Sequence, residues 1–254
     1  MKYSICIGAY PGKDAVYHLE KIKEHDLQGL ELYQWWNLGD LRTFAAEQQR
    51  IGKGIIATCT KVFNLVDPAF REAYVEGLRE TIAACRMLHI SSIITQTGSE
   101  LPGIPREVQR EAMIETLKRC APLLEEANIV LEIEPLNGLV DHPGHFLQRS
   151  DESAAVIEAV GSRHVKLVFD VYHQQITEGN VIRNLTAYKE HIHHYHIADN
   201  PGRNEPGTGE LNYIPILKAI QQTGFDGYVG LECKYSMDTD VAIEQFKERI
   251  ASNI

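Results

Sequence analysis

Eight times along this chain a short run rich in β-branched and aliphatic residues gives way to a longer segment of helical period, and this alternation constrains the fold more than any other feature. The strand-like runs are Tyr3 to Ala9, Gly29 to Trp35, Gly54 to Lys61, Ser92 to Thr97, Val130 to Leu136, Lys166 to Tyr172, His193 to Ala198 and Tyr228 to Lys234. Each is followed by a helical segment; in Pro68 to Leu88, Phe70, Tyr74, Leu78 and Ile82 recur every four residues and define one buried face. No linker, low-complexity block or composition break interrupts the series. The reading is therefore an α/β chain folded as a single (β/α)8 TIM barrel over residues 1–254, a length such a barrel needs. A doubly wound open sheet that bound a dinucleotide would carry GxGxxG after its first strand. Here Gly8 and Gly12 stand in the wrong spacing, and no GxxxxGK[ST] phosphate loop occurs.

Charge and cysteine usage narrow the function classes. With 25 basic against 35 acidic residues the net charge is −10, which argues against general nucleic-acid affinity, since that depends on neutralising phosphates. Cys6, Cys59, Cys85, Cys120 and Cys233 are odd in number and show no CxxC pairing, so neither a disulfide framework nor a thiolate zinc site is expected. MKYSICIGAYPG reaches Pro11 and Gly12 too early for a secretory signal, and no apolar run is long enough to span a membrane. The expectation is a cytoplasmic protein with a small-molecule substrate and no nucleic-acid or membrane partner. Self-association into a homo-oligomer is left open.

Catalytic groups of such barrels sit at the carboxyl ends of the strands. The fifth strand ends in Glu134 within LEIEPLN, the sixth in Asp170 within LVFDVYH, the seventh in His196 within YHIAD and the eighth in Glu232 within GLECKY. Taken singly, a strand-end carboxylate is more often a helix cap and a histidine more often a hydrogen-bonded core residue. Four consecutive strands ending this way are a different matter. Three carboxylates and one imidazole in one mouth repel and lose hydration unless something neutralises them. One divalent metal ion would do so, and three oxygens with one nitrogen suit manganese or magnesium, with cobalt and zinc as further choices.

EPLN at Glu134 to Asn137, FDVYH at Phe169 to His173, HIAD at His196 to Asp199, GRNEPGTGELNY from Gly202 to Tyr213, and GLECKY at Gly230 to Tyr235 resemble the xylose-isomerase-like barrels. The GR, EP and GE pattern ending in NY most resembles the hydroxypyruvate isomerase branch. The resemblance is strong from Val130 to Tyr235 and mainly architectural before that. It implies a metal held by Glu134, Asp170, His196 and Glu232, with His173 and Arg203 facing the substrate. The activity it implies is an aldose–ketose-type isomerisation of a small hydroxy-keto acid or short sugar, through a metal-bound enediolate, with Glu134 and Glu232 as catalytic acid and base. One departure bears on the substrate: hydroxypyruvate isomerases often carry glutamine where this chain has His196, while related ketose 3-epimerases carry histidine.

Three alternatives stand beside that reading. A ketose 3-epimerase would use the same residues and return the proton to the same carbon. A metal-dependent endonuclease of abasic-site repair would need a basic groove, which the charge of −10 counts against. A non-catalytic sugar-binding barrel would require a missing ligand, and none of the four is missing.

Less specific candidates are Tyr33, Trp35 and Trp36 as a substrate wall, Lys61 and Asn64 as substrate contacts, and HPGH at His142 to His145 as a turn over the site. Ser150 is placed to cap the helix that follows it. Strand alternation also turns Glu132 and His194 inward, one layer below Glu134 and His196, and predicts that Glu132 accepts a hydrogen bond from His194, with Glu31 as the competing partner.

Overall fold

The computed structural model describes residues 1–254. Eight parallel strands close into a barrel in sequence order: β1 Lys2–Cys6, β2 Gly29–Leu32, β3 Ile55–Cys59, β4 Ser92–Thr95, β5 Val130–Ile133, β6 Val165–Asp170, β7 Ile192–Ile197 and β8 Tyr228–Leu231. Helices α1 Ala15–Glu24, α2 Leu41–Ile51, α3 Arg71–Leu88, α4 Arg106–Ala127, α5 Ser150–Val160, α6 Val171–Thr177, α7 Val181–Ala187, α8 Tyr213–Gln222 and α9 Thr239–Arg249 accompany the strands. This is the (β/α)8 architecture expected from the alternation. No helix is long and apolar enough to cross a membrane.

Local chemistry sets the helix starts. Asp14, Asp40 and Asp238 cap α1, α2 and α9 by accepting backbone N–H bonds from Tyr17, Thr43 and Val241. Ser150 behaves otherwise: it is already the first residue of α5, and its hydroxyl donates to Glu178 at 2.5 Å. The face of α3 read from its period is buried at Tyr74, Leu78 and Ile82, and the Tyr74 hydroxyl donates to Thr95 of β4. Phe70, by contrast, is exposed, because the helix starts after it. The five cysteines are free.

Leu131, Ile133, Leu167 and Phe169 face the surrounding helices and join the main core, whereas Ala57, Ile94 and Val168 form a small apolar plug inside the barrel. Above and below that plug the interior is polar, and two register irregularities shape it. One lies between β2 and β3 at Leu30 and Glu31; the other lies between β6 and β7, where Leu167 pairs with Ile192 and Val168 with His194. His193 is thus the extra residue of a bulge, a device common near active sites.

That bulge corrects the predicted pairing. Glu132 and His194 both point into the barrel, but they lie 3.6 Å apart and make no hydrogen bond. His193, freed by the bulge, donates instead to Glu132 at 2.5 Å, while His194 Nε2 donates to Glu31 at 3.1 Å. The competitor takes the bond.

Candidate active site at the carboxyl ends of the strands

Glu134 follows β5, Asp170 ends β6, His196 lies in β7 and Glu232 follows β8, so one mouth receives all four. Each offers one ligand-type atom, and these atoms lie within 4.8 Å of one another. His196 Nδ1 stands 3.1 Å from Glu134 Oε1 and 3.3 Å from Glu232 Oε2. Asp170 Oδ1 caps α6 by accepting from Tyr172 N at 2.8 Å, whereas its buried Oδ2 accepts no hydrogen bond. A buried carboxylate oxygen left without a partner is costly unless a cation or ligand faces it. Three carboxylates, one of them presenting that orphaned oxygen, and one imidazole fit a divalent cation with oxygen and nitrogen donors.

The run from Lys166 predicts a sixth strand reaching Tyr172, with no helix directly after Asp170. In the structure the strand stops at Asp170, and the helix that begins at once places His173 against the site, fully buried. Asn137, from EPLN, donates to His173 Nδ1 through its side-chain amide at 2.6 Å and its backbone N–H at 3.3 Å. Asn137 is itself locked, because its Oδ1 accepts from Val140 N and Asp141 N. With Nδ1 accepting, the proton of neutral His173 sits on Nε2, which is 3.4 Å from Asp170 Oδ2 and has no other partner. Burial and the nearby Arg203 push this ring down to about 4. A neutral donor therefore faces the site.

Arg203 is held by its loop. Asp199 accepts from Gly207 N and Leu211 N, Glu205 accepts from Ser236 N and Oγ, and Lys234 N donates to the Arg203 carbonyl. A Cβ on Gly209 would stand 2.3 Å from the Asn200 carbonyl, so that turn requires glycine. Arg203 adopts φ 57°, a left-handed conformation that non-glycine residues keep only when their surroundings impose it. Its guanidinium donates to Glu232 at 2.5 Å, lies 3.6 Å from Asp170 Oδ2 and sits over the Tyr172 ring.

These neighbours set the charges. Burial pushes the Asp170 carboxyl up in spite of Arg203. Burial also works against an ionised Glu232, but Arg203 and His196 hold it far below the usual carboxylate range. Burial opposes charge on His196, yet Glu31 and Glu232 raise it well above the ordinary imidazole value. These carboxylates favour the doubly protonated ring, so a cation taken up at Nδ1 would displace a proton.

Among the less specific candidates, Tyr33 reaches the site and donates to Glu232 at 3.0 Å. Trp35 instead donates to Thr81 and packs on the core, with Trp36 edge-on to it. Lys61 pairs with Glu80 of α3, and Asn64 accepts from Asp67 N. His142 and His145 flank a turn beside the site, with the His142 ring 5.4 Å from that of His173. A cavity of about 480 Å³ opens beside Glu232, lined in part by Tyr33, Arg203, Lys234 and Tyr235.

His145 allows a stability test. Burial and the neighbouring His142 and His173 push it down to about 4 from an ordinary value of 6.5. The folded state then binds fewer protons than the unfolded state between these values, so stability is intact above pH 6.5 and is lost as pH falls toward 4. At one pKa unit per ~1.4 kcal/mol, the ring costs on the order of 2 kcal/mol by pH 5. The His145→Gln variant is expected to show a fall in Tm between pH 7 and pH 5 that is about 5 °C smaller than the parent's. Parallel Tm curves for the two proteins would show that His145 is not held neutral.

The chain matches the family model described as xylose isomerase-like TIM barrel over residues 19–251. It is 34% identical over 176 residues to hydroxypyruvate isomerase of Escherichia coli (strain K12), covering 69% of this chain and 68% of that protein. It is 36% identical over 138 residues to 2-oxo-tetronate isomerase of Cupriavidus necator, covering 54% and 53%. Among solved structures, an AP endonuclease of family 2 from Brucella melitensis superposes with a TM-score of 0.91 at 20% identity, over 98% of this chain and 100% of that one, a likeness of fold alone. On the extent of the family match and the first of these relatives, the chain belongs to the xylose isomerase-like TIM barrel family.

Proposed function

We propose that this protein is a divalent-metal-dependent isomerase of a small hydroxy-keto acid or short sugar, of the hydroxypyruvate isomerase type. The observation that carries the reading is the convergence of Glu134 and Glu232 on His196 Nδ1, at 3.1 and 3.3 Å, with the orphaned Asp170 oxygen beside them. Similarity to two isomerases whose names specify 2-oxo acids supports the substrate class. Glu134, Asp170, His196 and Glu232 would hold the metal, which when bound supplies a positive charge that lowers the cost of forming an enediolate.

The protein's own residues do the rest. One of Glu134 and Glu232 removes the proton from the carbon that bears the hydroxyl group, the other delivers a proton to the former carbonyl carbon, and the hydroxyl proton passes to the former carbonyl oxygen, so that no proton is gained or lost overall. His173 Nε2–H donates to a substrate oxygen. Arg203 holds the substrate carboxylate, and an acidic substrate accounts for an arginine in an acidic mouth. Tyr33 and the adjoining cavity take the remaining carbon chain.

The test is incubation of the metal-free protein with Mn, Mg, Co or Zn and then with three- and four-carbon hydroxy-keto acids and with ketoses in deuterium oxide. The expected result is metal-dependent conversion of a keto acid, with deuterium at the former carbonyl carbon. Metal-dependent inversion at C3 of a ketose would replace this reading with a 3-epimerase. Full turnover without any divalent cation would remove the metal from it.

A further inference from the structure

Beneath the proposed metal ligands, the barrel buries a carboxylate to which the reading above gives no role. Glu31 of β2 is 2% exposed, and its ionic partners are two imidazoles from β7. Its Oε1 accepts from Ser4 Oγ at 2.6 Å and from His194 Nε2 at 3.1 Å, and its Oε2 accepts from His196 Nε2 at 2.7 Å. β8 makes room for it: a Cβ on Gly230 would stand 2.0 Å from Glu31 Oε1. Three strands besides β2 thus contribute to this one carboxylate.

A buried carboxylate is an expensive way to fill a barrel, because well-packed apolar side chains of similar volume are often at least as stable. The geometry gives Glu31 a use. An imidazole has two nitrogens, and a cation can bind only the one left with a lone pair. Glu31 commits the Nε2–H of His196 and fixes the ring plane, which leaves Nδ1 as the nitrogen turned toward Glu134, Asp170 and Glu232. We propose that Glu31 is a positioning residue for the metal site, acting through His196 so that Nδ1 is presented to the cation, with Ser4, His194 and Gly230 holding Glu31 in place. This rests on the reading that Glu134, Asp170, His196 and Glu232 hold a divalent cation. Glu31 also makes the imidazole more basic, and carboxylates in this position typically contribute about 10- to 100-fold to metal affinity.

Two variants probe this from different sides. Glu31→Gln keeps the shape and removes the charge; Gly230→Ala keeps every ligand and the carboxylate but forces that carboxylate to move and crowds the His196 ring, 3.1 Å from the new Cβ. Metal-free wild type and both variants are titrated with Mn(II) and Co(II) by calorimetry, the Co(II) visible spectrum is recorded, and circular dichroism and thermal unfolding report folding. The expected result is one equivalent bound by each, about 10- to 100-fold more weakly in both variants, with cobalt bands of wild-type position because the ligand set is unchanged. Affinity within threefold of wild type in Glu31→Gln overturns the proposal. So do shifted cobalt bands, which would make Glu31 a ligand itself. If Glu31→Gln does not fold, wild-type affinity in Gly230→Ala overturns it. Wild type that takes up neither metal would instead overturn the metal reading on which the proposal rests.

Discussion

Glu134→Gln and Glu232→Gln, each assayed at saturating metal, are expected to lower kcat about a thousandfold or more while the circular dichroism spectrum stays that of the parent. Glutamine keeps the length of the side chain and its hydrogen-bonding oxygen, so packing around either position changes little. It removes what the proposed reaction uses there, a carboxylate that can carry a proton. General acid–base groups typically contribute about 10²- to 10⁴-fold, and the amide also loses the charge that His196, and at Glu232 Arg203, now face. Saturating metal matters because either substitution also weakens the proposed ligand set. Residual activity that rises to the parent's level as metal is added would assign the residue to metal binding alone. A variant that keeps turnover within tenfold of the parent would be excluded from proton transfer.

The order of strands and helices was legible because burial on both faces forces continuous aliphatic runs in the strands, while each helix shows a one-sided period. Strand ends were legible too: Glu134, Asp170, His196 and Glu232 each follow an apolar approach, and the barrel converts that position into convergence on one mouth. What escaped was set by features that alternation cannot encode. A one-residue bulge at His193 sends Glu132 to a partner that is 43% exposed, because the extra residue resets the alternation below it while His194 and His196 still face inward. Helix α6 is two turns long, too short for a period to register, and its start is fixed by Asp170 capping Tyr172 N.

Lys61 and Asn64 follow a strand, and that position alone points to them as substrate contacts. The loop after β3 instead gives Lys61 to a glutamate on α3 and turns Asn64 toward its own backbone. Asn137 and Glu31 act through a histidine rather than at the mouth, so only coordinates reveal which ring nitrogen each one engages.

Arg203→Lys is expected to raise the KM for a hydroxy-keto acid about 10- to 100-fold and to leave that for a neutral ketose within about threefold. One guanidinium nitrogen is already committed to Glu232, with Asp170 Oδ2 nearby and the Tyr172 ring beneath the planar group. The remaining N–H groups are free to form two parallel bonds to a substrate carboxylate, a geometry that a lysine ammonium cannot reproduce. Hydrogen bonds to charged groups are worth about 1.5–3 kcal/mol, which converts to the stated range at roughly 1.4 kcal/mol per tenfold. Lysine retains the positive charge, so the field that keeps Glu232 strongly acidic is largely preserved and kcat at saturating substrate should fall less than kcat/KM. The backbone is no obstacle to comparison: φ 57° at this position is imposed by the loop, and lysine meets the same Cβ strain as arginine. Equal losses on the acid and on the ketose would mean that Arg203 serves Glu232 and Asp170 and does not read a carboxylate, and the substrate class would then have to be sought among neutral sugars.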